Sequence, residues 1–237
     1  MVYQVSDDIL DGVVKLQRLN LKDQAADVLR DRIISGQIPT GSKLVEREVA
    51  DLLGISRAPA RDALMQLEKE GLVVSKSDAR YVIELTERDI RELHAVRLVL
   101  ERLAVELATR NTNPRNRAAQ LATLKRMEEA ITNRDRAAFA RADVEGHTLI
   151  WEQADNIHLK NTLHSMIGPI FMFMANSAEF YDWEETYDLH RDLVECINSG
   201  NVEAAQASIE RHLQNSCERS VGVFTAKAAE RVNGNYR

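Results

Sequence analysis

The chain has 237 residues, about 1.6 times the roughly 150 residues of an average domain, so its length favours two domains. Hydrophobic residues make up 44% and charged residues 29% of the chain, which is typical of a folded globular protein and excludes a largely disordered one. A net charge of −6 argues against a nucleic-acid-binding protein only if it is spread evenly. The charge is spread unevenly, because residues 136–215 carry a net charge of −8 and residues 21–80 are neutral.

The sequence lacks the usual features of secreted and membrane proteins. The two cysteines, Cys196 and Cys217, are too few for a disulfide framework, and the N-terminal residues are acidic where a signal peptide is basic and then apolar. The longest apolar run, residues 166–175, is about half as long as a membrane-spanning helix. We therefore expect a cytoplasmic protein without a transmembrane helix.

Three helices and a hairpin are predicted after an N-terminal extension of 20 residues. Apolar residues at helical spacing predict helices over 21–36, 45–54 and 57–71, with Ser56 as a suitable N-cap for the third. Two short β-rich runs, 72–75 and 81–85, predict a hairpin with a polar tip at 76–80. This order is typical of a winged helix-turn-helix, in which the second helix of the pair enters the DNA major groove.

The start of the third predicted helix carries the residues that would meet base edges in this geometry, Ser56, Arg57 and Arg61. Arg57 and Arg61 are four residues apart, so they share one face of the helix. An arginine fork can donate two hydrogen bonds to guanine or to phosphate. Two arginines on an exposed face are more often explained by solvation and ion pairing, so the pattern alone does not establish a DNA contact.

The rest of the chain is predicted to be helical. Thr86 with Asp89 predicts the capped start of a long helix, and five more helices are expected at about 116–132, 135–154, 157–179, 184–199 and 201–227. The predicted fold is therefore mainly α, with an N-terminal winged helix-turn-helix and a C-terminal all-helical bundle that meet near residue 85.

Four residues of the predicted bundle have side chains that ligate transition metals. Asp143 and His147 lie one helical turn apart, and His190 and His212 lie on two later helices. Three imidazoles and one carboxylate make a plausible site for a divalent transition metal. Scattered histidines are more often helix caps or core groups, so spacing alone does not decide between the two.

Two segments resemble known families. The pieces IISG, SKLVEREVADLLGISR and LEKEGLV, within residues 21–85, resemble the GntR family of bacterial transcription regulators. The pieces ADVEGH and HRDLVECINSGNVEAAQASIERHL, within residues 86–227, resemble the FCD effector domain of its FadR subfamily. The resemblance implies an extension at 1–20, a winged helix-turn-helix domain at 21–85 and a helical domain for effector binding and dimerisation at 86–230.

The resemblance also implies roles for individual residues. The DNA contacts it implies are Arg47, Ser56, Arg57 and Arg61. The wing lacks the family's usual glycine-rich tip, and Asp78 would repel phosphate, which leaves Lys76 and Arg80 for contacts to the DNA backbone.

In the FCD-like region, the resemblance places Arg97 at a position that faces the effector. It makes Asp143, His147, His190 and His212 the ligands of a divalent metal, among which Zn, Ni, Mn and Fe are not distinguished.

The predicted function is that of a ligand-responsive bacterial transcription regulator, expected to be a repressor and not an enzyme. A homodimer would bind an inverted-repeat operator in double-stranded DNA, and a small carboxylate held by the metal and Arg97 would change the DNA affinity. Two alternatives stay open. The metal itself could be the signal, or the site could be that of a metal-dependent enzyme, since such a site can activate water.

Overall fold

The computed structural model of the protein describes residues 21–76, 79–175 and 182–234. The predicted N-terminal extension, Ser77 and Asp78 of the wing, and residues 176–179 of the fourth helix predicted after residue 85 lie outside the described residues. No described helix combines the length and the apolar character that crossing a bilayer requires.

The described residues form nine helices and three short strands. In chain order these are α1 (Leu21–Ile34), β1 (Lys43–Leu44), α2 (Glu46–Leu53), α3 (Arg57–Lys69), β2 (Val73–Lys76), β3 (Ala79–Val82), α4 (Glu87–Arg110), α5 (Pro114–Asn133), α6 (Arg136–Gln153), α7 (Ile157–Ala175), α8 (Trp183–Ser199) and α9 (Val202–Gly234). The mainly helical fold with a small N-terminal sheet is therefore confirmed.

The N-terminal unit consists of α1–α3 and the sheet. Its core includes Leu29, Val49, Leu64, Leu67 and Val82, so the helices and the hairpin share one hydrophobic cluster. This cluster explains why three helices that are short on their own are stable together.

The sheet differs from the prediction in two ways. The paired strands β2 and β3 already contain Lys76 and Ala79, which lie opposite each other, so the tip is shorter than the expected 76–80. A third strand, β1, pairs antiparallel with β3 and places Lys43 opposite Tyr81. The sequence did not indicate β1, because two residues are too few to show an alternating pattern.

Of the two predicted helix caps, one forms its capping hydrogen bonds and the other does not. Thr86 and Asp89 form the reciprocal capping box at the start of α4, as expected, with the Asp89 backbone N–H donating to Thr86 Oγ1 at 3.2 Å and the Thr86 backbone N–H donating to Asp89 Oδ2 at 2.8 Å. Ser56 lies at the N-cap position of α3, but its side chain makes no capping hydrogen bond. The Ser56 hydroxyl therefore lies exposed at the start of α3 and is not used by the helix itself.

Helices α4–α9 form the helical bundle. Its main core lies between α4, α6, α7, α8 and α9 and includes Val105, Trp151, Leu163, Leu193 and Ile209. A smaller cluster, which includes Met127 and Phe139, packs α5 against α6. The bundle is thus a separate core from that of the N-terminal unit.

Helix α7 joins the two cores. Met172, which is 1% exposed, packs into the core of the N-terminal unit, although it lies on a helix of the bundle. At Gly168 a Cβ atom would overlap the backbone carbonyl oxygen of Glu70, and at Gly71 a Cβ would lie 2.8 Å from the carbonyl oxygen of Ser165. Backbone therefore lies directly on backbone where α7 meets the corner between α3 and β2.

We expect Gly168→Ala to destabilise the protein by about 1–3 kcal/mol, because the added methyl group can be accommodated only if α7 and the α3–β2 corner move apart. Denaturant unfolding would measure the change in the free energy of unfolding. The matched control is Gly222→Ala on α9, where an added Cβ has no neighbour within 4 Å among the described atoms. Equal stability of the two variants would contradict the packing described.

Candidate metal centre and DNA-binding face

Four side chains that were predicted as metal ligands meet inside the helical bundle. Asp143 and His147 project from α6, His190 from α8 and His212 from α9, and each is at most 4% exposed. One ligand atom from each of the four lies within 4.8 Å of the others. The structure therefore brings together residues that are up to 69 positions apart in the chain.

The backbone of α8 orients His190. Its Nδ1 donates to the carbonyl oxygen of Thr186 at 2.9 Å, so Nε2 is the ring nitrogen that faces the cluster. This Nε2 lies 2.8 Å from Asp143 Oδ1. A histidine whose second nitrogen donates to a carbonyl is the usual arrangement of a metal ligand.

A buried carboxylate orients His147. Glu101 Oε1 lies 3.2 Å from Nδ1 of His147 and accepts a hydrogen bond from Arg97 Nε at 3.0 Å. Glu101 Oε2 accepts from Trp151 Nε1 at 2.8 Å, and the Trp151 ring packs edge-on against His164 of α7 at 5.2 Å. The sequence did not identify Glu101 as part of the site. Its only sequence signal was a carboxylate one turn after Arg97 in an otherwise apolar stretch.

His147 and His212 point at each other. Their Nε2 atoms are 3.2 Å apart, which is also the separation of neighbouring nitrogen ligands, about 3.0–3.4 Å, around a metal bound at about 2.1 Å. Two ring nitrogens this close require a proton or a cation between them, because two lone pairs repel.

The charges in the cluster favour ligands in their binding forms. Burial acts to raise the pKa of Glu101, but His147 and Arg97 outweigh it and hold the pKa at about 2. Burial also opposes ionisation of Asp143, yet His190 lowers the pKa of that carboxyl. Burial lowers the pKa of His147, and that of His212 lies well below its ordinary value for the same reason. Ionised carboxylates and neutral imidazoles are the forms that bind metals.

His190 differs from the other two histidines of the cluster. Burial lowers its pKa, but Asp143 raises it by more, so the net shift is upward. A metal at this site would therefore replace a proton that Asp143 and His190 share.

The four side chains fit a divalent metal. Of the five buried side-chain polar atoms without a well-directed hydrogen bond among the described residues, four belong to Asp143, His147, His190 and His212. Two of the four, Asp143 Oδ1 and His190 Nε2, face each other inside the cluster, where a cation would satisfy them, whereas the other two are the Nδ1 atoms of His147 and His212, whose Nε2 atoms face each other. A donor set of three nitrogens and one oxygen suits zinc, nickel, manganese or iron.

A small cavity adjoins the cluster. Its free volume is about 10 Å³, roughly the space for one water molecule. The wall includes Arg97, Met174, Leu189, Asn215, Ser216 and Arg219. Arg97, predicted to contact an effector, thus lies beside the predicted metal ligands, with its Nη2 donating to His147 Nε2 at 3.1 Å.

The helix-turn-helix presents its predicted contact residues to solvent. Ser56 and Arg57 at the start of α3, Arg61 one turn later and Arg47 on α2 are all exposed. Arg61 lies 3.7 Å from Asp62, and its side chain is 58% exposed. The four side chains therefore lie where a DNA duplex could reach them.

The two basic residues of the wing differ. Lys76 is exposed, with its Nζ 5.0 Å from the centre of the Tyr81 ring. The Arg80 side chain is only 16% exposed and pairs with Glu46 and Glu68, each at 3.0 Å. Arg80 thus ties the hairpin to α2 and α3, and any contact of Arg80 to DNA would compete with two ion pairs.

Comparison with known proteins gives the family. Residues 21–83 match the bacterial regulatory proteins of the gntR family, and residues 92–215 match the FCD domain. The chain therefore belongs to the GntR family of DNA-binding transcription regulators, in the group in which an FCD domain follows the helix-turn-helix.

The chain is 31% identical over 195 residues to the HTH-type transcriptional regulator YdhC of Bacillus subtilis, covering 80% of this chain and 86% of YdhC. It is 30% identical over 206 residues to the gluconate operon transcriptional repressor of Bacillus licheniformis, covering 83% and 84%. The solved structure of McbR/YncC from E. coli has the same fold, with a TM-score of 0.73 at 21% identity over 87% of this chain and 100% of that one. The family and these relatives confirm a regulator rather than an enzyme.

One further histidine, His94, lies beside the cluster. It is 4% exposed, one turn before Arg97, and its Nδ1 donates to the Ile90 carbonyl at 3.0 Å. Burial and the nearby charge of Arg97 lower the pKa of His94 to about 4. Because the unfolded chain takes up this proton near pH 6.5, His94 favours the folded state at neutral pH, and this contribution is lost as the pH falls from about 6.5 towards 4.

We expect the wild-type protein to lose about 2 kcal/mol of stability between pH 7 and pH 5 through His94 alone. The variant His94→Gln lacks this group, so its stability should fall less over the same range. Denaturant unfolding at both pH values measures the difference. His158→Gln, at an exposed position, is the control and should keep the wild-type pH dependence. An unchanged pH dependence in His94→Gln would contradict the prediction.

Proposed function

We propose that the protein is a repressor that binds an inverted-repeat operator as a homodimer and responds to a small carboxylate bound beside a divalent metal. Asp143, His147, His190 and His212 would hold the metal. The observation that carries this proposal is the buried cluster of these four side chains next to Arg97. In the same proposal, residues 21–85 act on DNA, and residues 86–230 bind the effector and the second copy.

The residues around the cluster would support a metal in defined ways. Thr186 fixes the ring of His190, and Glu101 fixes the ring of His147, so two ligands are oriented before binding. A bound divalent metal would supply open coordination positions for a carboxylate oxygen. Arg97 would donate to the same carboxylate from α4.

The net charge of the buried site favours binding of an anion only when the metal is bound. Without a metal, ionised Asp143 and Glu101 balance the charges of Arg97 and of the proton that Asp143 and His190 share, so the site has no net positive charge to attract a carboxylate. A divalent cation that replaces this proton leaves one net positive charge. A carboxylate would therefore bind well only beside the metal.

The exposed arginines of α3 support operator binding. Arg57 and Arg61 would lie in the major groove of one half-site, and Arg47 and Lys76 would contact phosphates. An inverted repeat has two-fold symmetry, which a homodimer matches with one helix-turn-helix for each half-site.

One observation favours a second function, a metal sensor without an organic effector. The free space beside the cluster, about 10 Å³, holds an ion or one water but no organic acid unless side chains of the wall move. Under this alternative the metal alone would change the affinity for DNA.

We expect His190→Ala to lose its bound metal and, with it, any response of DNA affinity to metal or carboxylate, because the variant lacks a ligand with a preset orientation. Elemental analysis would measure metal content, and circular dichroism would confirm that the variant is still helical. His158→Ala, at an exposed position, is the control and should retain the metal. Full metal content in His190→Ala would contradict the proposed site.

The same measurements separate the two functions. Fluorescence anisotropy on an operator selected in vitro compares chelated protein, metal-loaded protein and metal-loaded protein with a carboxylate. A change on adding the carboxylate supports the effector proposal. A full change with the metal alone favours the sensor and contradicts the effector proposal.

We expect Arg57→Ala to weaken operator binding by about 1–3 kcal/mol, because it removes a base or phosphate contact. Anisotropy titrations at one fixed salt concentration would measure this, since salt strongly changes DNA affinity. Arg88→Ala is the control, because Arg88 is 85% exposed but lies on α4 in the helical bundle. The prediction is wrong if both variants bind like the wild type.

A further inference from the structure

A second arginine lines the same cavity as Arg97. Arg219 of α9 is 13% exposed, and its Nη1 donates to the carbonyl oxygen of Asp182 at 2.7 Å and to Thr186 Oγ1 at 3.1 Å. Its Nη2 pairs with the carboxylate of Glu185. Thr186 is also the residue whose carbonyl holds His190, so the guanidinium of Arg219 is fixed close to the predicted metal ligands.

The two arginines approach the cavity from different helices. Arg97 comes from α4 and Arg219 from α9, and both lower the pKa of His212 through their charges, after the larger effect of burial. The inner wall, with Arg97 and His147, is buried, whereas Leu189 and Arg219 are partly exposed. Arg219 therefore lies on the solvent side of the cavity and Arg97 on the inner side.

The carboxylate partners of the two arginines differ in how easily they can be displaced. Glu101, the partner of Arg97, is fully buried and also holds Trp151. Glu185, the partner of Arg219, is 53% exposed on the first turn of α8. Because the Glu185 side chain is half exposed, its carboxylate can turn into water and be hydrated there, while Arg219 keeps its hydrogen bonds to Asp182 and Thr186. Asn215, whose Nδ2 donates to Glu185 at 2.7 Å, would then lose its acceptor too.

A ligand with a second carboxylate would enter once side chains of the wall move, because the free space is about 10 Å³, and it would replace Glu185 on both donors. With Glu185 turned away, a metal-loaded cluster together with Arg97 and Arg219 carries two positive charges, which a dianion neutralises and a monoanion does not. We propose that Arg219 is a second anion contact and that the effector is a short dicarboxylate, with one carboxylate beside Arg97 and the other on Arg219 and Asn215. This inference rests on the proposed function and narrows its ligand class.

The experiment compares acids of equal carbon number on the metal-loaded full-length protein. Isothermal titration calorimetry is run with malonate, succinate and glutarate and with their partners propionate, butyrate and valerate. We expect at least one dicarboxylate to bind the wild type ten-fold or more tightly than its partner. In Arg219→Gln this ratio should fall to about one, and in Glu185→Gln the same dicarboxylate should bind several-fold more tightly.

The control variant is Arg211→Gln, on the same helix. Arg211 is 56% exposed and pairs with Asp192 outside the cavity, so its loss should leave the ratio unchanged. Thermal unfolding and metal content establish that each variant is folded and loaded. Should Arg219→Gln fail to fold, Glu185→Gln still tests the idea, because tighter binding of the dicarboxylate alone is expected only if Glu185 competes with it.

The outcomes separate this inference from the proposal on which it rests. If monocarboxylates bind as tightly as dicarboxylates, or if the ratio survives in Arg219→Gln, Arg219 is a structural link between α8 and α9 and the inference is overturned. The proposed carboxylate effector stands in that case. If no acid of either kind binds the metal-loaded wild type, the proposed function itself fails.

Discussion

The helical bundle depends on one buried carboxylate. Glu101 is fully buried, and a buried ion is tolerated only when partners replace its hydration. Those partners are Arg97 on its own helix and His147 and Trp151 on α6, so satisfying the charge also fixes α4 against α6. The same contacts set the ring of His147 and bring a guanidinium to the cluster. Stability and the chemistry of the site therefore rest on the same atoms.

Sequence patterns predicted most of the features that depend on residues close together in the chain. The capping box at Thr86, the three short helices and the turn-apart pair Asp143 and His147 follow from spacing over a few residues. The meeting of that pair with His190 and His212 depends on how three helices pack, so only the family resemblance indicated it. The sequence did not indicate Glu101, because a glutamate one helical turn from an arginine usually belongs to a surface ion pair. Only burial in the folded chain distinguishes a surface ion pair from a buried one.

Burial and partners, rather than residue type, separate the arginines of this molecule. Arg57 lies in water at the start of α3, whereas Arg80, of the same formal charge, is occupied by two glutamates. Arg30 is likewise held by both carboxylate oxygens of Glu70, at 2.7 Å each. The acidic net charge of the chain therefore says little about its DNA-binding face, because most of the excess acid lies in the other half and several basic side chains are already neutralised.

Helix α7 carries Met172 in the core of the N-terminal unit and Met174 in the cavity wall, only two residues apart. Between the two units, Gly168 and Gly71 bring the backbone of α7 directly onto the backbone of the α3–β2 corner. Backbone packed this closely leaves little room for α7 to shift unless the N-terminal unit shifts with it. In the proposed homodimer, two recognition helices would have to be spaced to one turn of DNA, about 34 Å, so a small shift of α7 beside the cavity would change their spacing at the operator.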